Sequence, residues 1–247
     1  MGRITDAVKH LIILNVLFFV ATQLYGDQMY EWFSLWFPKN EHFGWWQVVS
    51  HMFMHGGFMH ILFNMYALWI FGSPLERMWG RNKFFFFYFS AGLGAALLHT
   101  AVNYFYFQEG MQALVHSGIS KAQVMEVISS GKYSPDWYNI ASKSTIDNFL
   151  SAYNTPAVGA SGAIYGVLVA FGMAYPNSEL FLIFLPIPIK AKYFIPVLIG
   201  LDLFSGITGF SIFGGSIAHF AHVGGALFGF IMMWYWKKNQ FDNNRWN

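Results

Sequence analysis

The sequence predicts an all-α polytopic membrane protein: a bundle of six transmembrane helices with a membrane-associated first outer loop. Three observations predict it. Of the 247 residues, 55% are hydrophobic and only 11% charged, whereas soluble domains carry roughly a quarter charged residues. So few charges cannot cover a water-facing surface without leaving large apolar patches. Aromatic residues are abundant, with 28 Phe, 13 Tyr and 10 Trp, and such rings suit lipid contact and membrane interfaces. Finally, six apolar runs are long enough to cross or nearly cross a bilayer. The apolar content and a mean hydropathy of +0.39 exclude a disordered chain. A net charge of only +2 excludes a basic nucleic-acid binder. The absence of Cys removes disulfide scaffolds, thiolate zinc sites and cysteine nucleophiles together.

In chain order the spans fall at Leu11–Tyr25, His55–Gly72, Phe84–Phe107, Val158–Tyr175, Tyr193–Ile207 and Ser216–Trp236. The first, preceded by Arg3 and Lys9, has the outline of a signal peptide. Leu24-Tyr25-Gly26-Asp27 is a poor cleavage site, so it reads as a retained anchor. Residues Gly26–Ser50 mix Tyr30, Trp32, Phe33, Trp36, Phe37, Trp45 and Trp46 with a few charges, which suits a chain lying among lipid headgroups. Residues Gln108–Pro156 form a long outer insertion, with short helices expected within Met111–Ser129. Leu180–Ile189 is apolar but broken by Pro186 and Pro188, so it reads as an extended turn at the membrane face rather than a seventh span. The whole chain is expected to be one membrane domain, residues 1–247.

Loop charge predicts the direction of the spans. Arg3, Lys9, Arg77, Arg81, Lys83, Lys190, Lys192, Lys237, Lys238 and Arg245 fall on one side of a six-span drawing, and Lys39, Lys121, Lys132 and Lys143 on the other. The positive-inside rule then puts both termini in the cytoplasm. The second, fourth and sixth spans all enter from outside.

Polar residues within spans are costly, so each needs a reason. In His51-Met-Phe-Met-His55-Gly-Gly-Phe-Met-His60-Ile-Leu-Phe-Asn64, His60 and Asn64 share a helix face. Read alone, they favour interhelical hydrogen bonds that hold the bundle together over chemistry. Three histidines suggest zinc, but no carboxylate sits among them and the HExxH pattern is missing. Gly159-Ala160-Ser161-Gly162-Ala163-Ile164-Tyr165-Gly166 opens a hydrophobic helix rather than the strand-turn-helix of a nucleophile elbow. Gly162 and Gly166 are also a packing seam. Yet Ser161 lies in a first helical turn, where unpaired N–H groups and the helix dipole favour a negative oxygen. Tyr165 lies one turn later on the same face. In Ser216-Ile-Ala-His219-Phe-Ala-His222-Val-Gly-Gly225-Ala-Leu-Phe-Gly229, the seam of Gly225 and Gly229 would bring His222 against a neighbouring helix.

Depth connects the three. At about 1.5 Å per residue, Ser161, His60 and His222 each lie roughly 5–10 Å inside the outer end of their spans. One polar cavity explains three residues at one level better than three unrelated contacts. A serine within reach of a histidine is an activated nucleophile. His60 and Asn64 would donate to the oxyanion beside the Ser161 N–H, and Tyr165 could stack on His222. No acidic residue lies near enough in sequence to complete a triad, and Asp202 reads as structural, so a Ser161–His222 dyad is the economical arrangement. No cofactor and no metal are expected.

These residues resemble the rhomboid family of intramembrane serine proteases, from Leu11 to Trp236. The family's histidine-rich second helix matches His51, His55, His60 and Asn64. Its nucleophile motif matches Gly159-Ala160-Ser161-Gly162 with Tyr165 behind, and its last helix matches His222, Gly225 and Gly229. Glu76, Arg77 and Gly80 also fit the family's pattern at the inner end of the second span. The resemblance implies cleavage of transmembrane segments of other membrane proteins near the outer face, with the lipid bilayer as medium and no nucleic acid as partner. It further implies that the loop before Ser161 and the fifth helix border substrate entry. The chain is expected in a bacterial cytoplasmic membrane. The family often has Trp-Arg in the first loop, where this chain reads Trp45-Trp46-Gln47. His219 rivals His222 as base, but only His222 has the right spacing to Gly225 and Gly229; His99 has no assigned role. Competing readings are a non-catalytic relative that escorts membrane clients, a transporter, and a histidine metal site.

Overall fold

A computed structural model of the chain describes residues 3–182, 185–210 and 218–243. The first apolar run forms α1 (Asp6–Tyr25). Its Thr5 cap makes no side-chain bond to the helix; instead Glu76 accepts from the N–H groups of Ala7 (2.8 Å) and Val8 (3.0 Å), and from the Thr5 hydroxyl. A carboxylate on unpaired N–H groups at the positive end of a helix is favourable on both counts. It ties the start of α1 to the end of the second span. That span comprises α4 (Phe58–Ala67), a π turn over Leu68–Gly72 and α5 (Ser73–Trp79).

Between α1 and α4 the first loop folds as α2 (Asp27–Phe33) and the short α3 (Gln47–Ser50), followed by a 3₁₀ turn over His51–Phe53. Its rim leaves Trp32, Trp45 and Trp46 exposed, as rings at a lipid headgroup layer should be. Its centre is polar. The Gln47 side chain is fully buried and donates through Nε2 to the carbonyls of His42 (2.7 Å), Glu31 (3.1 Å) and Trp32 (3.3 Å). Its Oε1 accepts from the Trp36 N–H at 3.3 Å. Where the family often has an arginine, a carboxamide gathers the loop, using its acceptor as well as its donors.

The third span, α6 (Arg81–His116), has 36 residues and runs well past the expected Phe107. At 1.5 Å per residue it is about 54 Å long, against roughly 30 Å of hydrocarbon. It is longer than a crossing needs, and its C-terminal part joins the core of the 108–156 insertion through Phe107, Met111 and Leu114. Helices α7 (Lys121–Ser129) and α8 (Lys143–Asn154) complete that insertion, with a 3₁₀ turn over Pro135–Asn139. Phe107, Met111, Leu114, Val124, Ile128, Trp137, Ile146 and Phe149 form its core, joined by Phe37 from the first loop. Asn40 Nδ2 donates to the Tyr153 carbonyl at 2.9 Å, adding a second link between loop and insertion. On its surface, hydrogen bonding to Lys143 holds the Asp147 carboxyl below the usual carboxylate range, and the Tyr138 hydroxyl at 2.8 Å adds to this.

The fourth span, α9 (Ser161–Ala174), is followed by an antiparallel hairpin of β1 (Glu179–Leu182) and β2 (Leu185–Lys190), in the register Glu179↔Lys190 and Leu180↔Ile189. The segment expected to be an extended turn is thus a paired ribbon for its described residues. Two strands leave each with a free edge, where Pro186 and Pro188 can be tolerated. The fifth span is α10 (Ala191–Thr208) and the sixth α11 (His219–Asn243). The expected start of the sixth at Ser216 lies outside the described residues, as does Arg245. Among the described residues, Asp6–Tyr25, Phe58–Trp79, Arg81–His116 and Ala191–Thr208 are long and apolar enough to cross a bilayer.

Helices α6, α9 and α11 pack on small residues. Cβ atoms built on Gly162 and Gly166 would meet the Ala95 and Ala91 side chains of α6 at 2.5 Å. One on Gly225 would stand 1.8 Å from the Gly162 carbonyl oxygen, and one on Gly229 2.6 Å from Gly166 Cα. Lipid tails are as apolar as leucine, so close backbone packing must supply the association between helices. Helix α9, buried at the centre, has 14 residues and is about 21 Å long. It is too short to reach both faces of a roughly 30 Å hydrocarbon layer, so at least one of its ends, Ser161 or Ala174, lies inside that layer.

Candidate active site

Ser161 is placed by the segment before it. Leu35 and Ala157 exchange backbone hydrogen bonds of 2.9 Å in both directions, and the Gly159 N–H donates to the His51 carbonyl at 2.9 Å. Gly159 has φ +122, a conformation that suits glycine alone. A Cβ there would also lie 2.9 Å from His60 Nε2 and 3.5 Å from Ser161 Oγ. The bare backbone of Gly159 therefore lets His60 approach the serine.

His222 reaches Ser161 from α11, its Nε2 2.8 Å from Oγ. The glycine seam makes this reach possible, since any side chain at Gly225 would force α9 and α11 apart. Tyr165 lies under the imidazole, with ring centroids 4.2 Å apart and planes at 12°.

The structure also brings Asp202 to the same place. His222 Nδ1 donates to its Oδ1 at 3.1 Å and His219 Nδ1 to the same oxygen at 2.6 Å, while the Tyr165 hydroxyl donates to Oδ2. Asp202 is only 5% exposed. It belongs to the site as well as to its own span, and sequence distance concealed the fact. The signal was its charge: an acid within an apolar span is a functional candidate by default.

On α4 the Gly56 N–H donates to His60 Nδ1 at 3.3 Å. A neutral imidazole with Nδ1 accepting carries its hydrogen on Nε2, so His60 offers an Nε2–H donor beside Gly159. Asn64 is buried and its Nδ2 makes no hydrogen bond. Leaving such a donor unpaired costs about 1–3 kcal/mol, which an anion placed there would recover. His55 packs edge-on against His60, with ring centroids 5.0 Å apart. Behind Ser161, His51 and His99 line a cavity of about 20 Å³ together with Gly159, Gly162 and Ala163. That is room for one water molecule. His51 Nδ1 donates to the Gln47 carbonyl at 2.7 Å and Asn103 Nδ2 donates to His99 Nε2 at 3.0 Å. Among the described residues, no three His, Asp or Glu side chains are grouped to hold a metal ion.

A serine hydrogen-bonded to a histidine between the helices of an apolar bundle defines a class: polytopic membrane proteins with a serine–histidine pair among their spans. The sequence profile of the Rhomboid domain matches residues 42–125 and 139–239, and the chain belongs to the rhomboid family. It is 25% identical over 191 residues to "Rhomboid protein 1, mitochondrial" of Saccharomyces cerevisiae, covering 77% of this chain and 42% of that protein. It is 30% identical over 184 residues to "Presenilin-associated rhomboid-like protein, mitochondrial" of Bos taurus, covering 74% and 35%. "Rhomboid protease GluP" of Bacillus subtilis matches at 36% over 53 residues, 22% of this chain and 10% of that protein. The chain thus spans less than half the length of the first two relatives.

These similarities correct the expected location. The two relatives matched over about three quarters of the chain are mitochondrial by name, and the bacterial one matches only a short stretch. A bacterial cytoplasmic membrane, with termini assigned to its cytoplasm, is therefore not upheld. Loop charge tells which side of a bilayer a segment takes, and carries no information on which organelle or cell owns that bilayer.

Proposed function

We propose that this chain is an intramembrane serine endopeptidase that cleaves transmembrane segments of other membrane proteins near the face bearing the outer insertion. The observation that carries the reading is the 2.8 Å approach of His222 Nε2 to Ser161 Oγ at the N-terminus of α9. Ser161 Oγ attacks the scissile carbonyl carbon, and its proton passes to His222 Nε2. The C–N bond then breaks as Nε2 delivers that proton to the leaving amine. A water molecule, for which the cavity beside His51 and His99 has room, loses a proton to Nε2 and attacks the acyl ester. Nε2 returns the proton to Ser161 Oγ as the ester opens. The tetrahedral oxyanion is held by the Ser161 N–H, Asn64 Nδ2 and His60 Nε2–H, donors whose partners form only in the transition state. Gly162, Gly225 and Gly229 support the geometry by closing the α9–α11 contact, and Tyr165 supports His222.

The test is labelling of the detergent-purified full chain by a fluorophosphonate, with Ser161→Ala as control, alongside cleavage of a single-pass reporter reconstituted with it. Labelling and cleavage that both vanish in Ser161→Ala are expected. Equal labelling of the two proteins, or neither labelling nor cleavage, sinks the reading in favour of a non-catalytic client-binding relative.

A further inference from the structure

We infer that Asp202 is a positioning residue for His222, making the reacting pair one end of a Ser161–His222–Asp202 relay in which α10 sets the imidazole. The inference rests on the protease reading of Ser161 and His222. A carboxylate only accepts hydrogen bonds, so the contact from His222 to Asp202 Oδ1 places the ring hydrogen on Nδ1. The lone pair is then left on Nε2, which faces Ser161 Oγ. That is the tautomer able to take the serine proton, and the opposite one cannot. The same carboxylate balances the charge of the ring once it is protonated.

The surroundings argue against a packing role alone. A carboxylate in a span costs about 2.5–3.5 kcal/mol on insertion scales, and a neutral side chain could bond a tyrosine for less. Asp202 instead accepts from three side chains on two other helices: Tyr165 on α9, and His219 and His222 on α11. Tyr165 both bonds Asp202 and lies on the His222 ring, so the imidazole is fixed at its edge and on its face. One turn beyond Asp202, a Cβ on Gly206 would touch the Phe220 ring at 3.1 Å and His219 Cβ at 3.3 Å. Close approach of α10 and α11 at Gly206 is what lets so short a side chain reach both histidines.

The test measures the maximal labelling rate and the half-saturating concentration of a fluorophosphonate on full-length wild type and Asp202→Asn, with thermal midpoints taken alongside. An asparagine amide can donate to Nδ1 and so select the unproductive tautomer. The maximal rate should fall by about 10²–10⁴-fold, the range that proton-transfer groups contribute, while the half-saturating concentration stays within about threefold. Asp202→Asn labelled at the wild-type maximal rate overturns the inference and leaves the protease reading intact. Wild type that takes no label, or labels as Ser161→Ala does, removes that reading and the inference with it. If Asp202→Asn does not fold, ¹⁵N-histidine spectra of the wild type decide, with His222 assigned by its loss in His222→Gln. A hydrogen on Nδ1 supports the inference and one on Nε2 overturns it.

Discussion

The Tyr165 ring lies flat on the His222 imidazole, 4.2 Å between centroids and 12° between planes. Aromatic stacking of this kind contributes about 0.5–1.5 kcal/mol beyond simple burial. Here it also removes the ring's freedom to swing away from Ser161. The tyrosine hydroxyl is occupied by Asp202, so ring and hydroxyl do separable things.

Tyr165→Phe keeps the stacked ring and loses only the bond to Asp202, whereas Tyr165→Ala loses both. Fluorophosphonate labelling should slow a few-fold in the first and at least about tenfold in the second, since a misplaced reacting group costs orders of magnitude. Equal rates in the two variants would show that the stack does not orient His222.

His219 and His222 share one oxygen of Asp202, yet only His222 touches Ser161. His222→Ala should therefore abolish cleavage of a single-pass reporter, and His219→Ala should retain most of it. Cleavage lost in His219→Ala and kept in His222→Ala would move the base to His219.

Asn64 gives a prediction of opposite sign for rate and stability. An oxyanion donor typically supplies 10²–10³-fold in kcat, so Asn64→Ala should slow single-turnover cleavage by about that factor with KM little changed. Because Nδ2 has no partner in the resting protein, the variant should melt no lower than wild type. A marked fall in melting temperature with unchanged kcat would make Asn64 a packing residue.

Much of this was legible in the sequence, and what was not has physical reasons. The spans follow from apolar run length, and the meeting of α9 with α11 follows from Gly162, Gly225 and Gly229, because glycine spacing says which helix faces approach. Asp202 was hidden because it lies on a third helix. The spacing within one helix says nothing about which neighbour its polar residue meets. Gln47 was read as a departure from Trp-Arg, although a buried carboxamide can gather the same loop by accepting as well as donating. The outer insertion was visible as a polar stretch, but not that α6 continues into it, since helix periodicity carries no mark of where the bilayer ends.

Gln47 itself yields the last prediction. Its side chain satisfies the Trp36 N–H and the carbonyls of Glu31, Trp32 and His42. Each such buried group costs about 1–3 kcal/mol when left unpaired. Gln47→Leu is close in volume but satisfies none of them; the Trp32 carbonyl keeps the Trp46 Nε1–H as a donor, and with the other three groups left unpaired the protein should be destabilised by at least about 3 kcal/mol. The first loop should lose protection, read as faster amide exchange over residues 27–50 in lipid vesicles. Gln47→Arg restores donors for the carbonyls but has no acceptor for the Trp36 N–H, so its loss should fall between wild type and Gln47→Leu. The loop also pairs with the chain just before Ser161 through Leu35 and Ala157. Loosening it should therefore slow cleavage in step with the loss of protection. If Gln47→Leu exchanges no faster than wild type, the first loop is held by its aromatic contacts with the membrane and the insertion, and Gln47 is not its anchor.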